Sequence, residues 1–274
     1  MLAALLITFR EGLEAALIVG ITLSALRRLG RSDGGPAVWA GAISAILVSA
    51  LAAALLSAIG VALAGRGEQI FEGVTVLTAC AVLTWMILWM QRQGRRTQME
   101  LEEDARRALE AGSGRLLFGL AFVAVLREGI ETALFLTAAA FGATAGQTLA
   151  GGALGLAGAI AVGWLVYVAG KRLDLRAFFR ATGVLLLLFA AGLFARGIHE
   201  LQEAALLPVL IEHLWDLGPI LSEDGTLGSL LRALFGYSAS PSLLEAAGYV
   251  AYLAVVSVAW RRTSAAPQAA TARG

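Results

Sequence analysis

One nine-residue phrase occurs twice in this chain, each time inside an apolar run long enough to cross a bilayer. Residues 9–17 read Phe-Arg-Glu-Gly-Leu-Glu-Ala-Ala-Leu and residues 126–134 read Leu-Arg-Glu-Gly-Ile-Glu-Thr-Ala-Leu, identical at six of nine positions and offset by 117. A single charge near the centre of a membrane helix costs about 2.5–3.5 kcal/mol on insertion scales, so residues of this kind are retained for a function. Here each copy carries three charges.

Helical geometry limits what the phrase can do. Glu11 and Glu14 are three residues apart and share a helix face, as do Glu128 and Glu131. Arg10 precedes Glu14 by four residues and Arg127 precedes Glu131 by four, so each arginine can pair with its own carboxylate. Gly12 and Gly129 lie between the carboxylates and permit close helix approach. Two such helices facing each other would gather four carboxylates and two guanidiniums, a formal charge of −2. That is a cation site of hard oxygen ligands. The plainer alternative is a pair of ion-paired clamps between helices, but a clamp needs no second glutamate in each copy.

Composition decides the solvent. The 274 residues are 58% hydrophobic and 15% charged, with mean hydropathy +0.77, whereas soluble domains carry about 25% charged residues. The expectation is an all-α integral membrane protein. Its net charge of +1 says nothing about partners. The one cysteine, Cys80, excludes an internal disulfide and fits a packed core thiol. Arg10, Glu11 and Glu14 interrupt what would be the apolar part of a cleavable signal, so residues 2–26 read as a first membrane helix.

Seven segments meet the length test for a span, near 2–26, 38–63, 70–90, 116–140, 148–169, 177–198 and 243–260. Sixteen basic residues follow the first, third, fifth and seventh, among them Arg27, Arg28, Arg31, Arg95, Arg96, Lys171, Arg172, Arg261 and Arg262. The other side offers Arg66, Arg196 and Arg232. The positive-inside rule then puts the N-terminus outside and the C-terminus in the cytoplasm. The two motif helices run in opposite directions on this topology. Residues 2–90 and 116–198 become an inverted 3+3 repeat, an architecture of secondary transporters with the substrate site near the midplane. The whole is one membrane domain, 1–264, with 265–274 expected as a disordered cytoplasmic tail.

Other features carry weaker signals. Glu68 and Glu72, four apart at the start of the third helix, can relay a cation inward or simply favour a helix N-terminus. His199, Glu200 and Glu203 cluster metal-type ligands at the end of the sixth helix. The following loop adds Glu212, His213, Asp216, Glu223 and Asp224 against Arg232, an acidity that would attract cations, or it is a wet loop with an amphipathic helix near 203–215. Residues 97–112 read as a solvated helix with Glu102/Arg106 and Glu103/Arg107 pairs. Gly151, Gly155, Gly158 and Gly163 form a small-residue packing face. The chain has no phosphate-binding glycine loop, no His-Glu-x-x-His, no serine elbow and no basic aromatic face for nucleic acid. A transporter rather than an enzyme is expected, driven by an ion gradient, a potential or a partner protein.

With its paired Arg-Glu-Gly-Leu-Glu and Arg-Glu-Gly-Ile-Glu, the sequence resembles the oxidase-dependent iron permeases, which include the fungal high-affinity permease and bacterial EfeU-type transporters. The resemblance extends over nearly the whole chain, through Phe-Glu-Gly at 71–73, Leu-Thr-Trp at 83–85, Arg-Gly-Ile-His-Glu-Leu-Gln-Glu at 196–203 and Gly-Tyr-Ser-Ala-Ser-Pro-Ser at 236–242. It implies that Glu11, Glu14, Glu128 and Glu131 bind iron, with Arg10 and Arg127 in the same motifs. It implies a multi-pass protein of the cytoplasmic membrane with iron, Fe²⁺ or Fe³⁺, as cargo and no tightly bound cofactor. It leaves open an external oxidase or iron-donor partner and a homo-oligomer. Capture at His199, Glu200, Glu203, Glu68 and Glu72 would precede transfer to the paired glutamates and rocking of the two three-helix halves. Transport of another cation such as Mn²⁺, Pb²⁺ or protons, or a non-transporting iron sensor, remain the alternatives.

Overall fold

The computed structural model describes residues 1–28, 32–93, 114–141, 143–169, 175–223 and 225–265, and among them only helix, turn and irregular chain occur. The long helices are α1 (Leu2–Arg28), α2 (Gly35–Ala62), α3 (Arg66–Gln93), α4 (Gly114–Ala140), α5 (Ala145–Ala169), α6 (Leu175–Glu203) and α8 (Leu243–Ala265); α7 (Thr226–Phe235) is short. Each expected apolar segment is thus a helix, extended by a few residues at one or both ends. The solvated segment 97–112, Asp224 and all but the first residue of the tail lie outside the described residues, as do Arg31, Arg95, Arg96, Lys171 and Arg172.

Among the described residues, five helices are long and apolar enough to cross a membrane: α2, α5, α8, and the stretches Arg66–Trp89 of α3 and Thr182–Glu203 of α6. The two other long helices, α1 and α4, carry the Arg-Glu-x-x-Glu phrases. The solvent that this surface meets is legible in α2. Its buried face is Val38, Gly41, Ala42, Ala45 and Ser49, small but for Val38, while Ile43, Ile46, Leu47, Leu51 and Leu55 point outward. Small residues inside and large aliphatics outside invert the soluble pattern and suit a helix surrounded by acyl chains. This is a multi-pass membrane protein.

The chain divides into two compact units, Met1–Ala62 with Arg95–Phe178, and Leu63–Gly94 with Phe179–Gly274. The first contains α1, α2, α4 and α5; the second contains α3, most of α6, α7 and α8. These units cut across the expected three-helix halves, because the third helix of each half packs outside the unit that holds its first two.

Within the first unit, the partners are crossed between halves. A side chain on Gly155 of α5 would run into the Leu5 carbonyl of α1, and one on Gly41 of α2 into the Phe118 carbonyl of α4. Glycine at these points lets backbones touch, which substitutes for the missing hydrophobic drive between helices in lipid. The expected glycine face of α5 is this seam, with Gly151, Gly158 and Gly163 meeting Met1 and Ala4, Phe9, and Ala16 of α1. Leu26, Val38, Leu117 and Ala121 close a core between α1, α2 and α4.

In the second unit, α3, α6 and α8 are tied by polar contacts inside an apolar setting. The Cys80 thiol donates to the Ala190 carbonyl at 3.2 Å, in keeping with a packed core thiol. Thr84 and Tyr252 share a hydroxyl hydrogen bond of 2.5 Å, and the Tyr252 ring stacks on Phe194 at 5.6 Å. After α6 the chain does not form the amphipathic helix expected near 203–215. Ala205 turns into the left-handed region (φ 54°), and the Leu206 N–H returns to the Leu201 carbonyl at 2.9 Å. Pro208 and Pro219 follow, and neither can join a helical ladder. Residues 211–217 instead run beside 239–243, with Leu214 donating to Pro241 (2.9 Å) and Leu217 to Ala239 (2.8 Å). The short helix of this loop is α7. It ends at Gly236, whose positive φ of 65° closes the cap.

Candidate metal site

Both phrases lie inside regular helix, so their charges project from α1 and α4 at the predicted angles. Arg10 Nη1 donates to Glu11 Oε1 at 2.6 Å, and Arg10 Nη2 lies 2.9 Å from Glu14 Oε1. In the second copy Arg127 Nε bonds Glu131 Oε1 at 2.9 Å and stands 3.9 Å from Glu128 Oε1. Each arginine therefore serves both carboxylates of its own copy, the i,i+4 pairing expected from spacing plus a second contact to the adjacent residue.

The two copies converge. Glu11, Glu128 and Glu131 each offer a carboxylate oxygen, and these three atoms lie within 4.8 Å of one another. Glu14 completes the quartet through Arg10, with its side chain 19% exposed. Tight backing holds the helices here. The Ala159 Cβ of α5 lies 3.0 Å from where a Gly12 side chain would begin, and Ser49 of α2 fills the corresponding space at Gly129.

The electrostatics are unfinished. Glu11 Oε2, Glu128 Oε2 and Glu131 Oε2 are buried and accept no hydrogen bond among the described residues. Glu14 Oε1 has an ion pair to Arg10 at 2.9 Å but no hydrogen bond among the described residues. Burying a carboxylate without full pairing costs several kcal/mol, so such oxygens call for a cation or a proton. Three convergent carboxylate oxygens can bind either one, and the all-oxygen donor set suits a hard or borderline divalent ion.

The second unit receives the remaining candidates, in two separate arrangements. Glu200 is buried and paired with Arg196 at 3.2 Å; Arg196 also reaches Glu72 at 3.7 Å. His199 and Glu203 turn the other way: His199 Nε2 lies 3.1 Å from Glu203, and Nδ1 lies 3.2 Å from Glu245. Gln69 donates to Glu203 at 3.1 Å. Glu68 is exposed in the first turn of α3. His199 and Glu200 therefore have different partners, Glu203 and Glu245 for the one and Arg196 for the other.

Sequence reasoning passed over Glu245, Arg196 and Gln69. The signal for Glu245 was local. Ser242-Leu-Leu-Glu245 is a capping box, and Ser242 N donates to Glu245 Oε1 (3.3 Å) while Glu245 N donates to Ser242 Oγ (3.2 Å). In the acidic loop, Glu223 is spoken for: it accepts from the Ala239 N–H at 2.6 Å and pairs with Arg232 at 3.4 Å.

Fold and site together define a multi-pass membrane protein with a buried carboxylate cluster on two charged helices. The profile of the Iron permease FTR1 family matches residues 1–261, and the chain belongs to that family. Ferrous iron permease EfeU of Shigella sonnei is 36% identical over 262 residues, 95% of each chain, and that of Yersinia pestis is 35% identical over 255 residues, 92% of this chain and 90% of the relative. A relative from Escherichia coli K12 that carries the word inactive in its name is 36% identical over the same 262 residues. No solved structure matches the chain.

Proposed function

We propose that this protein imports iron across the cytoplasmic membrane, using the four glutamates of the paired phrases as successive ligands. One observation carries the reading: Glu11, Glu128 and Glu131 converge within 4.8 Å and each keeps a buried oxygen without a donor. Clamps between helices would leave no such oxygens. The names of the relatives specify ferrous iron, and the formal charge of −2 over the four glutamates and two arginines matches Fe²⁺.

In this reading α1 and α4 are spans as well, which makes seven, with the N-terminus outside and the C-terminus in the cytoplasm. The inverted repeat is supported by the crossed packing of α1 on α5 and α2 on α4, since exchanging the halves converts one pair into the other. Iron would first meet the acidic groups of α3 and α6 (Glu68, Glu72, His199, Glu200 and Glu203) and then shed water onto the motif carboxylates. Arg10 and Arg127 stay paired with carboxylates in the empty site and limit its uncompensated charge to the formal −2.

The test is radiolabelled iron uptake into proteoliposomes by wild type and the Glu14→Ala/Glu131→Ala double variant. One arm holds Fe²⁺ reduced with ascorbate, and the other supplies Fe³⁺ as a weak chelate. Wild-type flux that disappears in the variant is the expected result. Equal flux in both proteins would remove the carboxylates from the pathway, and iron bound without flux would indicate a sensor.

A further inference from the structure

The two copies of the phrase are nearly identical in sequence, yet their arginines occupy different surroundings. The Arg10 side chain is 1% exposed, and the Arg127 side chain is 37% exposed. The glutamates four residues on invert this order, with Glu14 at 19% and Glu131 at 8%. Glu11 and Glu128 are both buried. The cluster therefore has a closed floor, formed by Arg10 with Glu11, and one open side, formed by Arg127 and Glu14.

What the open side faces follows from position. Arg127 is the middle residue of α4, which runs Gly114–Ala140. A guanidinium exposed there to acyl chains is strongly disfavoured, and charged residues at that depth face water or protein. The flanking residues of the same stripe, Val123 and Ile130, are exposed as well. Exposed aliphatics alone would suit acyl chains, as on α2; the half-exposed guanidinium beside the carboxylate cluster is what requires water at this face.

We infer that water reaches the carboxylate cluster from the Arg127 side, so that Arg127 and Glu14 form its mouth while Arg10 is a sealed counter-charge. This rests on reading α4 as a span and the cluster as the cation site. The arginine pair then divides the work. Arg10, buried and held at 2.6 Å to Glu11, stays in place as a counter-charge. Arg127, half exposed and bonded to Glu131 at 2.9 Å but 3.9 Å from Glu128, is the one an arriving cation displaces.

The test uses the unmodified full-length protein in nanodiscs. Phenylglyoxal is added, and modification of each arginine is followed by peptide mass spectrometry, with exposed Arg261 and Arg262 as references. Arg127 should react at least ten times faster than Arg10. Equal rates, faster reaction at Arg10, or no reaction at Arg127 over the time in which the references are consumed would overturn the inference. The same reaction run anaerobically with Fe²⁺ reads the cation site separately. Faster modification of Arg127 supports both readings, because a cation that displaces it breaks its ion pair to Glu131, whereas Arg127 modification unaffected by Fe²⁺ keeps the water path and removes the cation site.

Discussion

Ser49 of α2 stands in the space into which a side chain on Gly129 of α4 would grow. The residue between Glu128 and Glu131 is therefore set by a neighbour eighty positions away in the chain, and the spacing of the carboxylates is held by that contact. Gly129→Ala should push α4 off α2 and lower stability by about 1–3 kcal/mol, the usual cost of overpacking. Iron uptake should fall with it. Adding Ser49→Gly should restore uptake, because the obstructing atoms are the Ser49 side chain; thermal unfolding and flux of the double variant check this, and continued loss would mean that the glycine acts otherwise.

Removing the buried guanidinium should hurt more than removing the open one. Arg10→Met leaves Glu11 uncompensated at 1% exposure, and breaking a buried pair costs about 3–5 kcal/mol. Arg127→Met removes a guanidinium that is itself 37% exposed and already partly solvated, and should cost clearly less. Melting temperatures in detergent decide the order, and equal losses would contradict the asymmetric burial.

Glu11→Gln keeps the size of the side chain and one acceptor for Arg10 while deleting a negative charge from the cluster. Metal binding should weaken at least tenfold with little change in helix content. Titration of Fe²⁺ under anaerobic conditions, with circular dichroism on the same sample, separates the two effects.

The capping box at the start of α8 makes a double-mutant prediction. Ser242→Ala and Glu245→Ala should each cost about 1 kcal/mol, as lost N-caps do. Their sum should exceed the double variant's cost, since each residue serves the other. Strict additivity in unfolding experiments would show that Glu245 acts only through His199.

Ala205 offers the opposite sign. It ends α6 in a left-handed conformation that glycine adopts without steric cost. Ala205→Gly should raise stability by about 1 kcal/mol, and uptake should be unchanged. A fall in melting temperature would count against the geometry of this turn.

Much of the molecule was fixed by residues close together in sequence. Helix α4 was expected from 116 and runs from Gly114; helix α8 was expected from 243 and starts at Leu243. Apolar length and the charges that bound it are local properties. The pairing of Arg10 with Glu14 and of Arg127 with Glu131 was equally legible, because i,i+4 geometry belongs to a single helix. Pro208 is a local sign that a helix cannot run through 203–215; the left-handed turn at Ala205 has none, because alanine does not mark one.

The sequence alone determined which side chains could form the cluster and which helices carry them. Only the tertiary structure decided that α5 backs one phrase and α2 the other, that His199 turns to Glu245 rather than joining Glu200, and that Arg10 is sealed while Arg127 is open. The reason is that burial belongs to a place and not to a residue. Two copies of one phrase have the same helical angles, but what covers each is supplied by helices far away in the chain.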